Sequence, residues 1–169
     1  MKTIFETSLI GASLLFATYA NAGLLKTTSP DVDSVIYAQR VVDQIVASHP
    51  GITDVILHVT PPGQTENLAI ASYSASERGK ASGDDDLGVI RTGKSLVEVQ
   101  KDGVRIGVLV PLMDNQKNTI GALGIVYAYH RGESEQTFVL QSMGIRNAIA
   151  RHIKSRDALF AHSGPAISR

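Results

Sequence analysis

The chain of 169 residues contains no cysteine. Disulfide bonds, thiolate catalysis, cysteine-ligated zinc and thiolate-held iron–sulfur clusters are therefore excluded. Lipid attachment at a lipobox cysteine is excluded for the same reason. We expect no cofactor, and a fold that is stable through its packed core alone.

An excess of charge of either sign is also missing, because 16 lysine and arginine residues balance 16 aspartate and glutamate residues. Proteins that bind nucleic acid through its phosphates normally carry a basic bias. Nucleic acid is therefore not an expected partner.

The first residues have the three-part layout of a secretory signal. Lys2 is followed by an apolar stretch from Leu9 to Ala17 and then by Ala20-Asn21-Ala22 before Gly23. The apolar stretch is shorter than the roughly 20 residues that a membrane-spanning helix needs. We expect a cleaved signal peptide over residues 1–22 and a periplasmic or secreted protein, with an uncleaved membrane anchor as the alternative.

The rest of the chain suits one domain, since 43% of the residues are hydrophobic and the length allows a single core. We expect a linker over residues 23–29, one domain over residues 30–162 and a flexible tail over residues 163–169.

Apolar periodicity and turn residues predict the order helix, two strands, short helix, three strands, helix. The predicted elements are a helix from Pro30 to Ser48, strands over Ile52–Thr60 and Leu68–Tyr73, a short helix from the Asp84–Asp86 run to Gly93, strands over Ser95–Lys101, Val104–Met113 and Ile120–Tyr129, and a long helix after Ser134. This order predicts an α+β domain with a five-stranded antiparallel sheet, flanked by an N-terminal and a long C-terminal helix.

Three details of these elements are also predicted. Asp102-Gly103 favours a two-residue hairpin turn between the third and fourth strands. Asn118 is the residue expected to adopt the left-handed conformation in the next turn. Arg146 is expected on the water-facing side of the last helix.

Two segments carry a resemblance to a known family: VIRTGKSLVEV (Val89 to Val99) and VLVPLMDNQKNTIGALGIVY (Val108 to Tyr127). They resemble the helix-turn-strand and hairpin of PAS-like extracytoplasmic sensor domains, the Cache group, and more distantly those of GAF domains. The resemblance covers roughly Ile52 to Tyr129 and implies a role in signalling. The aromatic and arginine signature of amino-acid-binding Cache domains is not found.

The resemblance also implies where a ligand binds. In PAS-like folds the pocket lies between the sheet and the loop plus short helix after the second strand, which here is Ser72 to Arg91. Hydroxyl groups and cations in this segment suit a small carboxylate, because arginine binds carboxylates through paired hydrogen bonds. The expected ligand-binding residues are Tyr73, Ser74, Ser76, Arg78, Lys80 and Arg91; the alternative is a solvated polar loop.

Other chemistry has little support in the sequence. His58 lies within an apolar strand and is interpreted as an outward-facing or edge-facing side chain, with a pocket residue or metal ligand as the alternative. The histidines do not have the spacing of a zinc site, and no G-x-S-x-G elbow is present. We expect neither a metal site nor an enzyme, although His58 acting with Arg78 or Lys80 would be the arrangement to test.

The sequence therefore favours a secreted, free-standing sensor-like domain that binds a small, anionic metabolite for signalling or delivery. The expected partners are that ligand and a membrane-bound signalling protein, and homodimerisation is a further option. The alternative is a ligand-free module for protein interaction or dimerisation in the periplasm.

Overall fold

The computed structural model describes residues 35–162. The elements in chain order are α1 (Tyr37–Ser48), β1 (Ile52–Val59), β2 (Leu68–Ser72), α2 (Asp84–Thr92), β3 (Leu96–Val99), β4 (Arg105–Met113), β5 (Thr119–Ala128) and α3 (Glu135–Ala150), with short 3₁₀ turns over Ala75–Glu77 and Asp157–Phe160. This order confirms the predicted one.

The strands form one antiparallel sheet in the order β2-β1-β5-β4-β3. β5 is the central strand and pairs with β1 on one side and β4 on the other. The predicted α+β class with a five-stranded antiparallel sheet is therefore confirmed.

The helices lie on different faces of this sheet. α1 packs on β1 and β2, and α3 packs on β4 and β5. Both cover the face where Val55 and Leu57 of β1 are fully buried. α2 packs against β4 and β5 and, with Ile56 and His58, borders a cavity on the opposite face. One face of the sheet is therefore the core, and the other is available for a site.

The core contains two aromatic rings that join β5 to α3. The ring of Tyr127 lies 5.2 Å from that of Phe138, and the hydroxyls of Tyr127 and Ser142 are hydrogen-bonded at 2.8 Å. Burial raises the pKa of the Tyr127 hydroxyl, and the bond to Ser142 lowers it by less. These contacts position α3 across the sheet.

The first helix begins later than predicted. Ile36 is extended, with φ −61° and ψ 152°, and α1 starts at Tyr37. The prediction of a continuous helix from Pro30 is therefore wrong at Val35 and Ile36. The physical reason lies at the other end of the fold, because the Tyr37 N–H donates to the Ala161 carbonyl at 2.7 Å.

Arg146 was expected to face water, and this prediction is wrong. Its side chain is buried, and its guanidinium donates to Asn147 Oδ1 at 2.8 Å and contacts the Pro111 carbonyl and Met113 sulfur at 3.4 and 3.3 Å. Burial lowers the pKa of this guanidinium. Helical spacing gave no indication of this, because two of the three partners, Pro111 and Met113, lie on β4.

Two turns also differ from the prediction. The β3–β4 connection is longer than a two-residue hairpin, since the Gln100 N–H donates to the Arg105 carbonyl across residues 101–104. In the following turn Lys117 has the positive φ, 67°. Asn118 instead donates from its side-chain amide to Asp114 Oδ2 at 3.0 Å.

Several sequence predictions lie outside the described residues. These are the signal peptide over residues 1–22, the linker over residues 23–29, the helix start at Pro30 and the tail over residues 163–169. Between residues 35 and 162, the helices are all too short or too polar to cross a bilayer.

Two glycine-to-alanine substitutions are expected to change stability in opposite directions. A Cβ at Gly121 would lie 2.3 Å from the His58 carbonyl oxygen, whereas a Cβ at Gly144 meets nothing within 4 Å. Gly121→Ala should lower the free energy of unfolding by about 1–3 kcal/mol or more through backbone overlap. Gly144→Ala should raise it by about 0.5–1 kcal/mol, because alanine favours a helix interior.

Chemical denaturation of both variants and the parent chain measures the two effects. Equal stability of Gly121→Ala and the parent would contradict the close approach of β5 to β1.

Candidate functional site

A cavity of about 630 Å³ lies between α2 and the sheet. Its apolar wall comes from strand residues on the face opposite the core, with Ile56 on β1, Leu109 on β4 and Val126 on β5. Gly107 and Gly124 add no side chain to this wall. This α2 cavity is within the volume range of small-molecule sites, about 300–1,000 Å³.

The polar lining of the α2 cavity is acidic. α2 contributes Asp84, Asp85 and Asp86, and β3 contributes Glu98 beside Gln100. Among the described residues that line the cavity, His58 is the single side chain able to carry positive charge. The cavity therefore presents carboxylates from two separate elements.

Local sequence explains why α2 begins beside the cavity. The Gly83 N–H donates to Asp86 Oδ2 at 2.9 Å, which satisfies a backbone donor at the helix start. Acidic residues in the first turn are also favoured by the helix dipole. At the other end Gly93 has a φ of 69° and ends the helix, as predicted.

A chain of side-chain hydrogen bonds holds His58. The Asn67 amide nitrogen donates to Thr60 Oγ1 at 3.2 Å, and the Ser82 hydroxyl donates to Asn67 Oδ1 at 2.6 Å. His58 Nδ1 lies 2.9 Å from Ser82 Oγ. Since the single hydroxyl proton of Ser82 goes to Asn67, Ser82 must accept from His58 Nδ1–H. The neutral ring therefore carries its proton on Nδ1.

The other ring nitrogen of His58 lies next to a carboxylate. Its Nε2 is 3.5 Å from Asp86 Oδ1, and the two side chains are 12% and 14% exposed. Burial lowers the pKa of His58 below its ordinary 6.5, while the charges of Asp86 and then Glu77 raise it by less. A neutral His58 therefore leaves two acceptors facing each other at the cavity.

The six residues expected to bind a ligand are spread over the loop and α2, and none lines the α2 cavity. Ser74 and Arg78 lie around Ser72: the Ser74 N–H donates to Asp54, and Arg78 Nε donates to the Ser72 carbonyl at 2.9 Å. Tyr73 is 53% exposed.

The other three predicted residues are exposed as well. Ser76 lies on the surface, Lys80 pairs with Glu77 at 2.8 Å, and Arg91 is on the last turn of α2. Their role in binding stays a prediction. The pocket was expected to be formed by the segment from Ser72 to Arg91. Of this segment, residues 83–86 line the α2 cavity.

The sequence favoured an outward-facing or edge-facing His58, and the side chain does lie on the sheet face opposite the core, but β1 is not an edge strand and the ring is 12% exposed at the cavity. The pocket alternative describes its position better. His58 does not converge with Arg78 or Lys80, whose bonds are to Ser72 and Glu77. Ser82, His58 and Asp86 resemble a catalytic triad in composition. Ser82 donates to Asn67, however, and a nucleophilic serine must donate to its histidine.

Metal binding has no cluster to support it in the part of the chain from residue 35 to residue 162. No group of three or more histidine, aspartate or glutamate side chains there could hold an ion.

No family model matches the chain, and no curated protein matches it significantly. Solved structures do match. The GAF domain of A. aeolicus nlh2 in an inactive state is 12% identical with a TM-score of 0.53, over 69% of this chain and 83% of that chain. The fold is GAF-like. The GAF part of the resemblance is thus confirmed at the level of fold, and the Cache group stays a prediction.

Two further solved structures are similar to this GAF-like domain at lower TM-scores. A candidate GAF sensor protein from Burkholderia vietnamiensis is 17% identical with a TM-score of 0.48, over 78% of this chain and 81% of that chain. The inducer-binding domain of a PobR double mutant from Acinetobacter, in complex with 3-hydroxybenzoic acid, is 13% identical with a TM-score of 0.42, over 67% of this chain and 93% of that chain. The conclusion on fold depends on the A. aeolicus domain.

The lowered pKa of His58 predicts how stability changes with pH. The unfolded chain takes up the histidine proton near pH 6.5, before the folded protein does. The free energy of unfolding should therefore fall as the pH drops from 6.5 through the folded pKa, and be unaffected by this group above pH 6.5. The imidazole NMR shifts of His58 across the pH range give its pKa in the folded protein. Denaturation at each pH gives the free energy of unfolding.

Asp86→Asn tests how far the Asp86 carboxylate raises the pKa of His58 against the effect of burial. Removing the carboxylate that raises the pKa should move the NMR midpoint of His58 still lower. Asp85→Asn removes the same charge from the same helical turn and should have a smaller effect. A midpoint at or above the ordinary value in the parent chain would contradict the buried, neutral ring.

Proposed function

We propose that this chain is a sensor-like domain that binds a small molecule in the α2 cavity and catalyses no reaction. The observation that carries the proposal is the cavity itself, about 630 Å³ between one helix and the sheet. Its apolar strand wall and its polar rim are the combination that orients and retains a small ligand.

The construction of the domain supports this role. One face of the sheet carries a continuous apolar core under α1 and α3, so the opposite face is not required for that core. α2 is a nine-residue helix in which Val89 is the buried side chain. A short, lightly anchored helix over a cavity can respond to what the cavity contains.

We further propose a periplasmic or secreted location, on the basis of the signal-like residues 1–22. A sensor domain there would pass its signal to a membrane-bound partner or deliver its ligand. The assignment to the extracytoplasmic Cache group is part of the same proposal and depends on the two sequence segments described above.

A thermal-denaturation screen of the full chain tests ligand binding. The panel contains small carboxylates, amino acids, nucleobases and organic amines. A compound present at about 100 times its Kd adds roughly 2.7 kcal/mol to the free energy of unfolding, which raises the Tm by several degrees for a domain of this size. At least one class should produce such a shift.

Gly107→Val tests whether the ligand occupies the α2 cavity. A Cβ at Gly107 lies 2.9 Å from the flexible Gln100 amide, so that side chain can move while the valine fills the cavity. The Tm shift should be lost in this variant and retained in Gly144→Ala, whose change lies on α3. A shift that survives Gly107→Val would place binding elsewhere and contradict the cavity site.

The anionic metabolite expected from the sequence is an alternative within this function. It would be held by Arg78, Lys80 and Arg91, which lie outside the cavity lining. A carboxylate whose Tm shift is lost in Arg78→Ala but kept in Gly107→Val would establish that site instead. A silent panel would favour the ligand-free interaction or dimerisation module.

A further inference from the structure

We propose that the α2 cavity selects a small organic cation with N–H donors, such as an ammonium, amidinium or guanidinium group, hydrogen-bonded from the cavity to both Nε2 of His58 and the carboxylate of Asp86. This inference rests on the proposed function, because it names the ligand class of the same cavity.

The first argument is the hydrogen bonding of His58 and Asp86. The single proton of neutral His58 is used at Nδ1 by Ser82, so Nε2 is an acceptor. Asp86 Oδ2 accepts from the Gly83 N–H, while Oδ1 lies 3.5 Å from Nε2. Neither atom is fully enclosed, so both remain accessible from the cavity, where two acceptors 3.5 Å apart favour a ligand that donates to both. A ligand nitrogen with two N–H bonds supplies one donor to Nε2 and one to Oδ1.

The charge around the pair is the second argument. Asp84 and Asp85 stabilise the start of α2 and therefore do not identify a ligand by themselves. Glu98 lies on β3, where no helix dipole explains it, and its carboxylate has no ion-pair partner within residues 35–162. Carboxylates on both sides of a cavity whose described lining has no lysine or arginine favour a cation.

The apolar wall defines the rest of the ligand. Ile56, Leu109 and Val126 face the cavity from three adjacent strands. They suit a hydrocarbon chain or a flat ring attached to the cationic group.

Proton uptake by His58 competes with such a ligand. The imidazolium would pair with Asp86 and repel a cation at the same place. The acidic groups that act on His58 or line the same cavity are Asp86, Asp84 and Asp85 on α2, Glu77 after β2 and Glu98 on β3. Cation affinity should therefore fall as the pH drops through the pKa of His58, whereas the affinity of an anion should rise.

Three probes of the same shape test the ligand class: benzamidinium, neutral benzamide and benzoate. Each is titrated into the ¹⁵N-labelled full chain, and binding is read from the amides of Gly83, Gly107 and Gly124, with Gly144 as the distant control. Benzamidinium should bind at least about tenfold more tightly than benzamide, and benzoate more weakly still, because charge-assisted hydrogen bonds are the stronger ones.

The same titration at two pH values tests the role of His58. Between about pH 7.5 and one unit below the NMR midpoint of His58, benzamidinium affinity should fall by up to about tenfold, because His58 takes up its proton over that interval. His58→Gln removes the titrating ring and should flatten this dependence. Glu98→Gln should weaken benzamidinium several-fold, and Glu135→Gln, which removes the same charge on α3, should leave it unchanged.

The experiments distinguish failure of the cationic ligand class from failure of the proposed function, small-molecule binding in the α2 cavity. Benzoate binding as tightly as benzamidinium, or benzamidinium affinity that rises at low pH, would overturn the cationic class and leave the cavity as a binding site. Equal affinity for benzamide and benzamidinium would show N–H donation without charge selection and would also overturn it. Silence of all three probes overturns the inference. The proposed function falls with it if the thermal panel is silent too.

Discussion

The close approach of β5 to β1 is the constraint on which the rest of the fold depends. A Cβ at Gly121 would lie 2.3 Å from the His58 carbonyl oxygen, so these strands can pair at their observed distance because the position has no side chain. β5 is the middle strand of the sheet, and every other strand is positioned through it directly or through one neighbour. Gly124 on the same strand leaves the floor of the α2 cavity open. Sheet assembly and cavity formation therefore both require glycine on β5.

The two faces of the sheet divide stability from binding. On the face under α1 and α3, fully buried aliphatic residues such as Val55, Leu57 and Leu123 supply the hydrophobic driving force. On the other face the structure retains a histidine, several carboxylates and a hydrogen-bonded chain from Ser82 to Thr60. Groups of this kind cost stability when they are desolvated, and they are retained in proteins mainly where they contribute specificity or function. The free energy gained by burying the core on the first face compensates for the cost of desolvating the polar groups on the second.

Much of the fold could be predicted from the sequence, because strand alternation and the turn residues at Gly93 and Gly103 are local signals. The start of α1 was not predictable, since it depends on the distant Ala161 carbonyl. The resemblance implied a pocket between the sheet and the short helix, but the lining of the α2 cavity was beyond local reasoning: α2 had to be placed on the sheet before its aspartates could be seen to line a cavity with Glu98 of β3. Glu98 could have been found, because it alternates with the core-facing Val97 and Val99 and so belongs to the opposite face.

The contact between Tyr37 and Ala161 has a topological consequence. The backbone entering α1 and the backbone leaving the last 3₁₀ turn are hydrogen-bonded at 2.7 Å, so the described residues begin and end side by side. A short peptide linker across this point would close the path into a ring without moving the sheet. The chain could then be opened in an exposed turn such as residues 101–104, far in sequence from the original ends, to give a circular permutant with the same core and the same cavity.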